Sequence, residues 1–251
     1  MKKIIEWTND IELKNIYSSE YWNDVEKEKE KIWWLNEEKD VIKLNQHLSN
    51  MGLDKEIEAI KKHIDSNKNT KVADLACGSG WFSSILSSFE NIEEVNAVEI
   101  SKHRLGELFE KTVSLMKGNP KKINRYLGSF YDLKFKEPMD VIFLCQGFHH
   151  AEKPFHLLNE CVKNLKKGGK IILLGEQYIS LWIIIKRFIK KILQKGRLTF
   201  DFFELFPPDD KLGDHYYRSS DYFLMASSNG LLMTKEKTSP RNRIYVLKKP
   251  H

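Results

Sequence analysis

The chain has 251 residues, 41% hydrophobic and 30% charged, with a formal net charge of +6 and a pI near 9.0. That length holds one full α/β domain with an appendage, and the balance excludes a disordered tail, a collagen-like repeat and a short disulfide scaffold. No apolar run is long enough to cross a bilayer or to act as a secretory leader, so a cytoplasmic location is expected.

Three cysteines, Cys77, Cys145 and Cys161, occur without CxxC spacing. Neither a disulfide framework nor a zinc site is indicated, and no metal is expected. The positive charge is diffuse, as in the alternating lysines and glutamates at 26–31. An RNA partner is therefore the alternative, and a solvated basic surface the first reading.

Residues 1–69 show helical periodicity and no strand pattern, with Tyr17, Tyr21, Trp22, Trp33 and Trp34 set in a charged background. They are expected to form an N-terminal helical cap, whose aromatic residues either cover the open face of the main domain or pack on its helices. A helix over 54–64 leads into the first main strand.

Residues 70–251 then read as a second unit. Expected are strand 72–76, helix 80–89, strand 94–99, helix 102–116, strand 123–128, strand 139–145, helix 154–166 and strand 170–175. Alternation of this kind produces parallel βαβ units. The Leu165–Lys170 stretch, with two lysines and two glycines, is expected to end the preceding helix, its cations facing the negative end of the dipole. An insertion at 178–208 carries a basic amphipathic helix and an aromatic loop. Helix 219–228, an Asn229-Gly230 cap and strands 231–237 and 243–248 finish the chain.

The centre of the pattern is Asp74-Leu-Ala-Cys-Gly-Ser-Gly80, where an apolar run breaks into small residues before a helix. Gly78 and Gly80 permit a close approach of ligand to backbone, and Glu99 stands 19 residues beyond Gly80, close to the spacing of a ribose carboxylate. Together they indicate an adenosine site. Asp74 ends a strand where it can hold an ammonium group, and Cys77 to Gly80 present backbone amides at a helix start.

With Gly128-Ser-Phe-Tyr-Asp-Leu133, Asp140 to His150 and Leu165 to Leu174, five landmarks occur in order. The set resembles class I S-adenosylmethionine-dependent methyltransferases of the small-molecule type over roughly residues 70–176. The resemblance implies an α/β Rossmann-like three-layer sandwich, with a mostly parallel seven-stranded sheet whose last strand is antiparallel. It implies S-adenosyl-L-methionine as cofactor and S-adenosyl-L-homocysteine as product. The cofactor site would take Asp74, Ala76, Cys77, Gly78, Gly80, Trp81, Glu99 and Ile100. Ser129 and Phe130 would lie at the adenine, and Cys145 and Gln146 beside the sulfonium. Many relatives carry an acid where Ser129 stands, and Phe130 either stacks on the ring or fills the core. Cys145 reads as an inert buried thiol rather than a nucleophile.

Methyl transfer to a hydroxyl needs a base to take the proton. The candidates are His149, which is the first choice, His150 and His215. Acceptor recognition is expected from the cap, the insertion and 214–218, through Trp182, Phe202, Phe203, Phe206, Tyr216 and Tyr217, with Arg187, Arg197 and Arg218. Aromatic walls with a few cations suggest a sugar or nucleotide-linked sugar in a bacterial glycan pathway. The alternatives are an RNA-modifying enzyme, a natural-product N- or O-methyltransferase, and a cofactor-binding scaffold without turnover. For 178–195 a membrane-surface helix is a further alternative.

Overall fold

The structure, a computed structural model, describes residues 1–8, 35–64, 69–176, 178–196, 199–207, 215–240 and 242–251. The aromatic residues Tyr17, Tyr21, Trp22, Trp33 and Trp34, and also Arg197 and Asp214, lie outside them.

One sheet organises the chain. Its strands are β1 (Ile5–Glu6), β2 (Thr70–Leu75), β3 (Ile92–Glu99), β4 (Ile123–Leu127), β5 (Met139–Cys145), β6 (Leu165–Leu174), β7 (Leu232–Lys237) and β8 (Arg243–Lys248). They lie in the order β1-β4-β3-β2-β5-β6-β8-β7. All neighbours pair in parallel except β8, which runs antiparallel to both β6 and β7. Strand order reverses beside β2, so the ends of β2 and β5 border the crevice that open α/β sheets offer to ligands.

Helices α1 (Glu38–Met51) and α2 (Leu53–Ile60) precede the sheet core. Helices α3 (Trp81–Ser88), α4 (Phe109–Leu115) and α5 (Pro154–Lys163) form the crossovers. Alternation along the strands makes three layers. Val72, Val95, Val141 and Phe143 pack with Leu44, Leu53, Phe82 and Phe109 on one face. Their neighbours Ala73, Leu75, Ile142 and Leu144 pack with Leu157, Leu158, Tyr222 and Met225 on the other. Tyr222 and Met225 belong to α8 (Ser219–Ser228).

The expected sandwich, with its antiparallel last strand, is what the chain forms, but with eight strands rather than seven. The added strand comes from the segment read as purely helical. Ile5 pairs with Tyr126 and Glu6 with Leu127. Two residues are too few for a period-two signal. Tertiary anchors hold them: Arg125 donates to the Lys2 carbonyl at 2.8 Å and to Glu110 at 2.7 Å, and Trp7 packs on Tyr126 at 4.5 Å.

A second correction concerns residues 165–170. The helix ends at Lys163, and Leu165 already begins β6. Lys166 reaches Asp140 at 2.8 Å rather than a helix end. Lys249 donates to the Gly169 carbonyl at 2.9 Å, so this glycine stretch is held as sheet.

Candidate cofactor and acceptor site

The loop after β2 turns through Ala76 (φ 56°), Gly78 (φ 55°) and Gly80 (φ 83°), all left-handed. The two glycines serve different needs. A Cβ at Gly80 would come within 2.4 Å of the Phe109 ring, so this glycine lets α4 close on the loop. A Cβ at Gly78 would meet nothing within 4 Å. Its backbone therefore borders open space, the geometry a closely approaching ligand requires.

Glu99, buried at the end of β3, ties this loop to the next one. One carboxylate oxygen accepts from the Gly78 amide at 2.8 Å, and the other accepts from the Ile100 and Ser101 amides, both at 2.9 Å. Cys77 donates to the Val98 carbonyl at 3.1 Å. Asp74 lies behind the loop, where Ser83 Oγ donates to it at 2.5 Å. Burial pushes the Asp74 carboxyl up to about 7, opposed by the Ser83 hydrogen bond and reinforced by Glu99. Two acids beside an open glycine backbone suit a ligand carrying positive charge. Trp81 is buried at the start of α3 and packs on Phe82.

The loop after β5 lies against this one. Gln146 is left-handed (φ 54°), and a Cβ at Gly147 would come within 3.2 Å of Ala76 Cβ. Among the described residues three non-glycine residues have positive φ, and two of them, Ala76 and Gln146, follow β2 and β5 at this edge. Such backbone concentrates at sites whose surroundings enforce it. Burial pushes the Cys145 thiol well up, and Asp74, Glu56 and Glu176 add to that. It is a protonated, inert thiol. Ser129 is engaged in its own turn, its Oγ accepting from the Tyr131 amide at 3.1 Å, while Phe130 is half-buried and meets Tyr131 edge-on at 4.6 Å.

The histidines gather on the same side. His149 Nδ1 lies 3.0 Å from Glu176 Oε2, and Glu176 Oε1 accepts from the Phe148 amide at 3.1 Å. Tyr222 donates to Glu176 at 3.4 Å, and burial together with Glu176 keeps its hydroxyl protonated. His150 stacks obliquely on His149 at 4.2 Å, and the His215 amide donates to the His149 carbonyl at 2.9 Å. All three predicted histidines are thus neighbours, and His149 is bonded to a buried carboxylate.

Glu176 and Glu56 were missed by sequence reasoning. Glu176 had a signal: it follows β6 as Glu99 ends β3, an acid closing an apolar strand. Glu56 had none, since it sits within the periodic charge of α2. Its side chain is buried, and Oε2 accepts from the Gly175 amide at 2.6 Å. Burial raises its carboxyl to about 7, opposed by the Gly175 hydrogen bond.

The insertion forms α6 (Leu181–Lys195) and the short α7 (Phe202–Leu205). Ile179, Leu205 and Phe206 make its small core, with Ile184, Phe188, Phe202 and Tyr216 packed on it. Arg187 donates to the Leu205 carbonyl at 2.7 Å and lies over Phe206. Arg218 pairs with Asp221 at 2.9 Å and lies over Phe202, while Trp182 faces solvent. Among the described residues no three His, Cys, Asp or Glu converge as a metal group, and no helix is long and apolar enough to cross a membrane.

Comparison with known proteins follows the same geometry. Residues 73–173 match the family described as a methyltransferase domain. The mitochondrial ubiquinone biosynthesis O-methyltransferase of Candida albicans is 22% identical over 155 residues, 59% of this chain and 46% of that protein. The chain thus spans just under half the length of this curated relative. Magnesium protoporphyrin IX methyltransferase from Synechocystis, solved with its bound cofactor product, is 16% identical over 96% of this chain and all of its own, with a TM-score of 0.59. The YcgJ protein of Bacillus subtilis (12%, covering 78% of this chain and 98% of its own, TM-score 0.57) and the cyclase SpnF (11%, covering 78% and 80%, TM-score 0.59) share the fold.

Proposed function

We propose that the chain is an S-adenosylmethionine-dependent methyltransferase that methylates an oxygen of a small-molecule acceptor, with His149 as the base, a reading supported by the match of residues 73–173 to a methyltransferase domain. The observation that carries this reading is the 3.0 Å contact between His149 Nδ1 and the buried Glu176 carboxylate. An amine needs mainly alignment, whereas a hydroxyl must lose a proton as it attacks, and an oriented imidazole answers that need.

S-adenosylmethionine supplies a methyl group on a positively charged sulfur, activated for transfer. The open backbone at Gly78, with Ala76, Cys77 and Gly80, would hold its amino-acid portion, and Glu99, which already holds Gly78, Ile100 and Ser101, would take its ribose. Glu99 would supply negative charge near the cation, and a bound cation would favour the ionised form of Asp74, which burial otherwise holds at about 7. Cys145 and Gln146 would flank the sulfonium, and Ser129 and Phe130 would lie towards the adenine. Glu176 accepts from Nδ1–H, which makes Nε2 the basic nitrogen. The acceptor hydroxyl would pass its proton to His149 Nε2 as its oxygen bonds the methyl carbon and the bond from that carbon to sulfur breaks, leaving the neutral thioether of S-adenosylhomocysteine. Glu176 then stabilises the imidazolium. His150 and His215 shape the surroundings of that ring.

A sugar hydroxyl belongs to this acceptor class. Arg187 and Arg218, read from the sequence as anchors for an anionic handle, are engaged by Leu205 and Asp221, which leaves a nucleotide-linked sugar with less support than a neutral hydroxyl. The test is transfer of labelled methyl to a panel of sugar, phenolic and amine acceptors. Turnover on hydroxyls that falls by about 10²–10⁴ in His149→Ala, with cofactor affinity unchanged, is expected. Turnover confined to amines, or cofactor binding without turnover on any acceptor, rejects the reading.

A further inference from the structure

We infer that the outer face of α6 is a docking surface for an anionic lipid bilayer, which the helix meets lying flat. The stretch 178–196 holds five basic residues, Lys186, Arg187, Lys190, Lys191 and Lys195, and no acidic one. Two of these cations fix the helix to the protein. Arg187 donates to the Leu205 carbonyl, and Lys191 pairs with Glu204 and donates to the Thr199 carbonyl. Ile184 and Phe188 face the same way, into the small core of the insertion.

The opposite face is apolar and uncovered among the described residues. Trp182 is 71% exposed, Ile189 49% and Leu193 82%, and Ile185 is exposed between them. Spacings of three, four and four place the four side chains in one band along the helix. Lys186 and Lys190 follow Ile185 and Ile189 by one residue, about 100° round the axis, and both are exposed. An apolar band bordered by lysines, with a tryptophan at its start, lets the band enter the acyl boundary while the ammonium groups stay with lipid phosphates. A protein partner would have to supply both an apolar groove and acids beside it, whereas an anionic bilayer offers the two together along the whole helix. The helix is capped at both ends, Ser180 accepting from the Ile183 amide at its start and Gly196 left-handed at its end.

The experiment uses the full chain, sedimented with vesicles of mixed phosphatidylglycerol and phosphatidylcholine and with phosphatidylcholine vesicles alone. Binding to the anionic vesicles, weakened by salt, is expected. Replacing Lys186 and Lys190 together by Gln should weaken it about 30-fold. Replacing Ile189 and Leu193 by Ser should weaken it at least about tenfold. Trp182 emission, isolated by difference against Trp182→Phe, should shift to the blue on binding. Titration with S-adenosylhomocysteine in the same samples should give one affinity for all variants, so a failure of the cofactor reading shows separately. The inference is overturned by no sedimentation with anionic vesicles at low salt, or by binding that neither double variant weakens. RNA binding lost with the lysine pair but kept with the apolar pair also overturns it, as does a dimer that the Ile189/Leu193 variant dissociates.

Discussion

Glu176 Oε2 sits 3.0 Å from His149 Nδ1, and its other oxygen accepts from the Phe148 amide next to that histidine in the chain. One buried carboxylate therefore fixes both the ring and the backbone that carries it. Glu176→Gln keeps the volume and an acceptor but removes the charge facing the imidazole. Turnover should drop by about 10²-fold, the pH at which activity rises should move down, and cofactor affinity should hold. Glu176→Ala should also lose roughly 1–3 kcal/mol of stability, because the Phe148 amide loses its partner. Calorimetry and a pH–rate profile separate the two. An unchanged profile in Glu176→Gln would reduce Glu176 to a structural role.

Glu99 serves three backbone amides, so its removal should be felt in the loops as well as in binding. In Glu99→Ala, affinity for S-adenosylhomocysteine should fall by about 10²-fold or more, with a loss of roughly 1–3 kcal/mol in stability. Equal affinity in the wild type and the variant would remove the ribose assignment.

The loop glycines should separate fold from function. Gly80→Ala forces a methyl against Phe109 at a left-handed position and should destabilise the protein by about 3 kcal/mol or more. Gly78→Ala meets only the backbone penalty of roughly 1–2 kcal/mol, yet it fills the open space beside the loop. Its thermal midpoint should fall by about 2–8 °C, less than in Gly80→Ala, while cofactor affinity drops. Loss of both to the same degree in the two variants would contradict the assignment of Gly78 to the ligand.

Glu56 makes stability depend on pH. Its folded carboxyl titrates at about 7, above its ordinary 4.5, so the folded state holds the proton more tightly. The stability it lends is complete below the unfolded value and is lost as pH rises through about 7. Glu56→Gln keeps an acceptor for the Gly175 amide and carries no charge. Relative to wild type it should gain stability progressively from pH 5 to 8, by about 3 kcal/mol at the upper end. Denaturant melts across that range give the measurement, and a constant difference between the two proteins would refute it.

Much of the fold was legible because its signals are local. The apolar runs at 72–76, 94–99, 123–128 and 139–145 and the helical periods between them need only their own residues to declare themselves, and the strands form within two residues of those bounds. The Leu165–Lys170 stretch misled because lysines and glycines suit a helix end as well as a bulged strand. Only Asp140 and Lys249, distant in the chain, decide between them.

The glycine turn at Gly78 and Gly80 and the acid closing β3 at Glu99 were legible in the sequence alone, since backbone freedom and strand ends are written into neighbouring residues. Tertiary structure alone decided three things. Glu176 reaches His149 across 27 positions, Glu56 reaches the Gly175 amide across 119, and Ile5 finds Tyr126 at the sheet edge. Each depends on which strand or helix end lies beside which, and a crossover topology fixes that only when the whole sheet has assembled. The outward face of α6 belongs with them, because periodicity marks two sides of a helix and only the packed domain selects the side that stays in contact with solvent.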